Sequence, residues 1–254
     1  MSAGTITLGG ELRVGRLGFG AMRITGPGIW GPPAGRAEAV RVLRRAVELG
    51  VSFIDTADSY GPEVSELLIA EALHPYAEGL VVATKGGFIR PGPDQWIVDG
   101  RPERLRQAIQ DSLRRLRLDR IDLYQLHAVD PKVPVEDSLG ALADAQREGK
   151  IRLVGVSNFS LEELERARKV VDVVSVQNRY GRADRQSEDV LQACEERGIA
   201  FIPWSPLYAS AGGVPVSPVE DLVWLLRHSP VMLPIPGTSS VAHLEENMTA
   251  AQLA

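Results

Sequence analysis

Residues 149–177, GKIRLVGVSNFSLEELERARKVVDVVSVQ, contain one copy of the unit whose repetition decides the fold. Residues 153–157 form a short apolar run without polar alternation, 161–170 carry a helical pattern, and 173–177 are apolar again. Continuous apolar runs of this length suit parallel strands buried on both faces, and parallel neighbours need a crossover between them. The alternation continues in both directions, with apolar runs at 17–19, 51–55, 80–84, 121–126, 200–204 and 231–234. Helical patterns occupy 36–49, 64–74, 102–116, 135–148, 186–197, 218–227 and 241–251. In 102–116 the residues Leu105, Ala108, Ile109, Ser112, Leu113 and Leu116 share one face, and Pro102 stands in the first turn, where its missing N–H costs nothing. Gly50, Gly149 and Gly198 each follow a helical run and precede a strand.

Eight strands alternating with eight helices predict an α/β chain folded as a closed parallel (β/α)8 TIM barrel, with residues 1–254 as a single domain. The competing architecture is an open doubly wound sheet, which would place G-x-G-x-x-G after its first strand to bind a dinucleotide. The segment here is Gly18-Phe19-Gly20-Ala21-Met22-Arg23, without the third glycine. Residues 5–14 read as an N-terminal β-hairpin turning at Gly9-Gly10, placed to plug the N-terminal end of the barrel.

The 254 residues are 44% hydrophobic and 24% charged, ordinary for a globular chain and incompatible with disorder, collagen or a simple coiled coil. The formal net charge of −5 is spread evenly, and the arginine-rich stretch 101–120 also carries Glu103, Asp111 and Asp119, so it reads as a solvated helix face and not a nucleic-acid stripe. Cys194 has no partner for an internal disulfide and reads as a buried thiol, and no Cys/His zinc spacing occurs. The opening MSAGTITLGGELRVG lacks the pattern of a signal peptide, and no apolar run approaches the ~18 residues of a membrane span. The expected setting is a reducing cytoplasm, with no nucleic-acid or membrane partner.

In a β/α barrel the chemistry sits at the C-terminal ends of the strands. Four ionisable groups fall there: Asp55 ends the second strand, Tyr60 follows in its loop, Lys85 ends the third and His127 the fourth. Each alone has an ordinary explanation, as a helix cap, a loop anchor, a snorkelling lysine or a core histidine. Their convergence on one rim favours function, because strand-end charges otherwise cost desolvation. Carbonyl reduction needs a hydride donor and a general acid. A tyrosine titrates near 10, and lowering that by ~2 units takes about 2.7 kcal/mol. A lysine cation ~4 Å away supplies about 4 kcal/mol at an effective dielectric of 20. The expectation is therefore that Lys85 lowers the Tyr60 pKa, Asp55 holds Lys85, and His127 hydrogen-bonds the substrate oxygen. An alternative is a metal-dependent barrel hydrolase using Asp55, Asp58 and His127, against which stands the lack of a second histidine near a strand end.

The segments D55-T-A-D-S-Y60-G, T84-K85, S112-L-R-R-L-R-L-D-R-I-D-L-Y-Q-L-H127, G149-K-I-R-L-V-G-V-S-N158-F, W204-S-P-L and I235-P-G-T-S-S-V-A-H-L-E-E-N247 occur in order over nearly the whole chain. Together they resemble the aldo-keto reductase superfamily, and are closest in motif to its bacterial pyridoxal-reductase-like members. The resemblance implies the same barrel, an Asp55, Tyr60, Lys85 and His127 tetrad with Tyr60 as proton donor, and NADP(H) bound across the rim without a Rossmann motif. It implies Ser157, Asn158 and Gln177 on the nicotinamide carboxamide, and Trp204 stacked on the ring. Gly20, Ala21 and Met22 would lie under the adjoining ribose, and Ser205, Pro206 and Leu207 beside the pyrophosphate. Gly237, Thr238, Ser239 and Ser240 would surround the adenosine phosphate, with Glu246 and Asn247 on the adenine.

Many members carry Lys or Arg where this chain has Gly237 and His243, so hydroxyls, with His243, would recognise the 2′-phosphate and the preference for NADPH over NADH would be weaker. The chain has room for one helix between Leu207 and Val231, where members commonly insert another, and it shows no C-terminal tail of the kind that often closes the pocket. Met22, Trp30, Tyr60, Trp96 and His127 are the candidate substrate-pocket residues. The implied partner is a small-molecule carbonyl compound such as a pyridoxal-type aromatic aldehyde, the chain itself being a monomer or weak oligomer. A slow NADP(H)-sensing module is the non-enzymatic alternative.

Overall fold

The computed structural model describes residues 3–205 and 217–254. A hairpin of β1 (Thr5–Leu8) and β2 (Leu12–Gly15) comes first, followed by β3 (Phe19–Gly20) and two 3-10 turns. Then come α1 (Arg36–Glu48), β4 (Phe53–Asp55), α2 (Val64–Leu73) and β5 (Val81–Gly86). A small second hairpin, β6 (Phe88–Ile89) and β7 (Ile97–Val98), precedes α3 (Pro102–Leu116). The chain continues through β8 (Ile121–Leu126), α4 (Val135–Arg147), β9 (Ile151–Ser157), α5 (Leu161–Ala167), β10 (Val173–Arg179), α6 (Glu188–Arg197) and β11 (Ala200–Trp204). The last elements described are α7 (Pro218–His228), α8 (Val241–Met248) and α9 (Ala250–Leu253).

Strands β3, β4, β5, β8, β9, β10 and β11 pair in that order, all in parallel. The eighth stave, expected as a strand at 231–234, forms only a single bridge, Phe201 to Met232. It still joins both edges of the sheet. Phe201 N–H donates to Val231 O and Leu233 N–H to Phe201 O on one side; Gly18 N–H donates to Pro234 O and Gly20 N–H to Pro236 O on the other. Pro234 and Pro236 have no N–H of their own to give, which explains why this stave accepts from β3 without building a regular ladder. The expected helix at 241–251 is divided at Thr249 into α8 and α9.

Register fixes the functional rim. Asp55 pairs with Ala83, and Lys85 with Gln125. Side chains alternate along a strand, so Ala83 and Lys85 face the same way and Lys85 rises above the level of Asp55. At the opposite end, Leu8, Leu12 and Val14 of the hairpin pack with Phe53, Val81, Leu123, Leu153, Val174, Ala200 and Leu233 from the barrel wall. The hairpin is thus the plug that residues 5–14 foretold. Its turn must use glycine at Gly9: φ is +55°, and a Cβ there would stand 2.9 Å from both Leu153 Cδ2 and Val174 Cγ1. Two further apolar layers lie between the sheet and its helices. Cys194 is buried in one of them. Burial pushes its thiol up to about 12. Among the described residues no helix is long and apolar enough to cross a membrane.

Leu8 is only 1% exposed, so Leu8→Ala leaves a void inside the plug. The expected loss is about 2–5 kcal/mol of unfolding free energy, read by urea denaturation, whereas an exposed neighbour such as Thr7 tolerates the same change within about 0.5 kcal/mol.

Candidate active site

The four strand-end groups meet. Lys85 Nζ lies 2.7 Å from Asp55 Oδ2, donates to Thr56 O at 2.8 Å, and reaches Tyr60 Oη at 3.4 Å. The lysine is 0% exposed and the aspartate 2%. Asp55 Oδ1 accepts from Gln125 Nε2 at 3.1 Å and from Gln177 Nε2 at 2.8 Å, so both carboxylate oxygens are engaged. Ser59 Oγ stands 3.4 Å from His127 Nδ1, and the Tyr60 and His127 rings meet edge to face at 5.8 Å.

The electrostatics correct one expectation. Burial raises the Tyr60 pKa, and the nearby Lys85 cation only partly offsets it, so the phenol titrates above its ordinary value. Desolvating a phenolate costs more here than one adjacent ammonium returns. For Lys85, burial works against the charged form, but Asp55 and Tyr60 prevail and the pKa is raised. Burial, and then the charge of Lys85, drive His127 well below its usual value, so its ring is neutral.

Above the tetrad lies a cavity of about 510 Å³ lined in part by Asp55, Tyr60, His127, Ser157, Asn158, Gln177, Trp204, Ser205, Gly20, Met22 and Gly237. Lys85 stays behind Tyr60, and Ala21 is buried in the core. Asn158 donates to His127 O at 3.0 Å and to Ser157 Oγ at 3.2 Å, while its Oδ1 accepts the Trp204 indole N–H at 2.9 Å. Thr238 and Ser239 line a second cavity of about 690 Å³, which shares Met22, Arg23, Ile29 and Gly237 with the first. Ser240 caps α8, and His243, Glu246 and Asn247 lie along that helix, outside the lining of both cavities. Pro206 and Leu207 fall outside the described residues.

Trp96 forms part of the wall with Phe88, their rings 5.5 Å apart. Trp30 does not line the first cavity. Arg90 lies against both tryptophans: its guanidinium stacks 3.7 Å from the Trp96 ring and 5.7 Å from Trp30. Arg90 also donates to the carbonyls of Gly28, Ile29, Ser59 and Gln95, at 2.9–3.1 Å. Sequence reading missed Arg90, Phe88, Arg23 and Ile29. Phe88 and Arg90 follow Lys85 closely in the chain, and Arg23 directly follows Met22, so proximity to the motifs was the available signal.

Residues 16–214 match the aldo/keto reductase family. The chain belongs to that family. This aldo/keto reductase is 50% identical over 262 residues to an uncharacterized oxidoreductase of Schizosaccharomyces pombe, with 98% of this chain and 85% of the relative covered. It is 42% identical over 273 residues to pyridoxine 4-dehydrogenase of Escherichia coli, covering 100% of this chain and 94% of that protein. Among solved structures it superposes on an aldo-keto reductase of Klebsiella pneumoniae in complex with NADPH, with a TM-score of 0.81, 26% identity, and 99% and 90% of the two chains covered. The holo form of a Bacillus halodurans aldo-keto reductase matches with a TM-score of 0.83 and 26% identity over 97% of this chain and 90% of that one. The reductase barrel and the oxidoreductase class follow from this membership.

Asp58 does not join Asp55 and His127. Asp55 is occupied by the Lys85 ammonium, and Asp58 lines a separate cavity of about 240 Å³ with Ser59, Arg90, Arg104 and Arg115. Among the described residues no group of three His, Cys, Asp or Glu side chains is arranged to hold a metal. Asp58 Oδ1 is buried without a hydrogen-bond partner among the described residues. Burial, reinforced by the Glu66 carboxylate and opposed by Arg104 and Arg115, pushes Asp58 up to about 7. The unfolded aspartate titrates near 3.9, so between about pH 4 and 7 the folded enzyme binds the extra proton and loses stability as pH rises. Asp58→Asn is expected to flatten that decline in a series of denaturation curves from pH 4 to 8; an unchanged slope would place the titration elsewhere.

Proposed function

We propose that this chain reduces an aldehyde or ketone to the alcohol with NADPH, Tyr60 acting as the proton donor. The observation that carries the reading is the neutral phenol at the cavity floor, 3.4 Å from a lysine whose charge is fixed by a buried aspartate. The groove suits an extended dinucleotide. The two joined cavities run from Tyr60 to the start of α8. Near their junction the backbones of Gly20 and Gly237 approach so closely that a Cβ on Gly237 would stand 2.6 Å from Gly20 O, so neither position puts a side chain into the groove. Trp204 supplies a half-buried indole face at the inner end, and Asn158, Gln177 and Ser157 line that end, which supports the reading that they meet a carboxamide. The NADPH of the Klebsiella pneumoniae relative supports this choice.

When bound, the dinucleotide supplies the hydride. The chain supplies the rest. As the carbonyl oxygen gains electron density, Tyr60 transfers its phenolic proton to it, and the phenolate left behind is stabilised by Lys85. Burial alone makes that phenolate costly, so the lysine serves mainly after the proton has moved. In the tautomer whose Nδ1 accepts from the Ser59 hydroxyl 3.4 Å away, neutral His127 carries its proton on Nε2, where it can donate to the substrate oxygen. The edges and faces of Phe88, Trp96 and Tyr60 form an aromatic wall, which favours a flat aromatic aldehyde of the pyridoxal type. The 42% identity with pyridoxine 4-dehydrogenase supports the same choice.

Consumption of NADPH, followed by its absorbance with pyridoxal, nitrobenzaldehyde and simple ketones, tests the activity. Tight NADPH binding with no turnover on any of them would favour the sensing module. Tyr60→Phe is expected to lower kcat by about 10²–10⁴-fold while leaving the NADPH dissociation constant unchanged. Near-normal kcat in that variant would remove Tyr60 as the donor.

A further inference from the structure

The far end of the groove holds a carboxylate where a phosphate would be attracted. Val241 is the first residue of α8, and its N–H points to Glu38 Oε1 at 3.3 Å, across from the first turn of α1. Two neighbouring N–H groups are also taken from within: Ser240 N–H by Thr238 Oγ1 at 3.1 Å, and His243 N–H by Ser240 Oγ at 3.5 Å. The second oxygen of Glu38 accepts from Arg41 Nε at 2.9 Å and from its Nη2. These contacts hold the Glu38 carboxyl below its ordinary pKa and therefore ionised. Its side chain is still 32% exposed and lines the same cavity as Arg23, Gly237, Thr238 and Ser239. Asp94 lines this cavity too, so two carboxylates face one arginine there.

A helix N-terminus attracts anions through its free N–H groups and dipole. Here that attraction is already spent on an internal carboxylate. We propose that Glu38 is a specificity-determining residue of the dinucleotide site, occupying the start of α8 against the 2′-phosphate and so allowing NADH to compete with NADPH. The proposal rests on the dinucleotide reading of the groove. NADH, with a hydroxyl in place of that phosphate, meets no repulsion. NADPH must either displace Glu38 from Val241 or accept a second negative charge beside it. With Thr238 and Ser239 hydroxyls and no lysine or arginine at position 237, the cations nearest the phosphate are Arg23 in the cavity lining and Arg41, which is already paired with Glu38.

Quenching of tryptophan fluorescence gives the dissociation constants of NADPH and NADH without turnover. In Glu38→Gln the NADPH constant is expected to fall about tenfold and the NADH constant to stay within about twofold. The same gain in the Glu38→Gln/Arg41→Ala double variant assigns it to removal of the carboxylate; a gain that vanishes there assigns it to a released Arg41 and overturns the proposal. Equal shifts for both dinucleotides, or none, overturn it as well and leave the cofactor reading intact. Failure of the unaltered protein to bind either dinucleotide overturns the cofactor reading, and this inference with it.

Discussion

A lysine ammonium sealed from solvent is the constraint around which the rest of the rim is arranged. Lys85 can stay charged at full burial only if every donor finds an acceptor, and it finds them in Asp55, Thr56 O and Tyr60. Asp55 in turn is held by Gln125 and Gln177, so one buried charge ties β4, β5, β8 and β10 into a single register. Removing one member of such a buried pair typically costs about 3–5 kcal/mol, because the other is left uncompensated. The same network that makes the site chemically able also makes it a structural knot, and the segment from Thr56 to Tyr60 is positioned as part of it.

Around this knot the rim divides into two kinds of surface. The inner end is aromatic and rigid, and Arg90 fastens it by bonding the 28–29 loop, Ser59 and Gln95 while stacking on Trp96. The outer end is polar, and the Val241 N–H at its helix N-terminus is met from within by Glu38. On the proposed reading, chemistry is kept at the end where geometry is most tightly held, and discrimination between ligands falls to the end where a few exposed side chains stand.

The barrel and the meeting of Asp55, Tyr60, Lys85 and His127 were legible in sequence because both obey local rules: buried parallel strands read as apolar runs, and the polar groups of the rim stand where those runs stop. The eighth stave was placed correctly but is not a regular strand, since Pro234 and Pro236 deny it a ladder. The shift at Tyr60 was misjudged in sign because a pairwise charge interaction can be estimated from motif spacing, whereas depth of burial emerges only from the folded whole. Trp30 lies outside the first cavity for a similar reason, as the path of its loop depends on its contact with Arg90. Glu38 is the extreme case: 203 residues separate it from Val241, and nothing in the pattern of α1 announces that its first turn abuts the last helices of the barrel.

The plugging hairpin has a consequence for how the molecule is made. Leu8, Leu12 and Val14 are synthesised well before the partners they pack on, which include Val174, Ala200 and Leu233. Domains form as units during synthesis, and contacts this distant in sequence are slow to close. The apolar face of the hairpin is therefore made long before it can be sheltered, and until Leu233 has followed it depends on partners that do not yet exist.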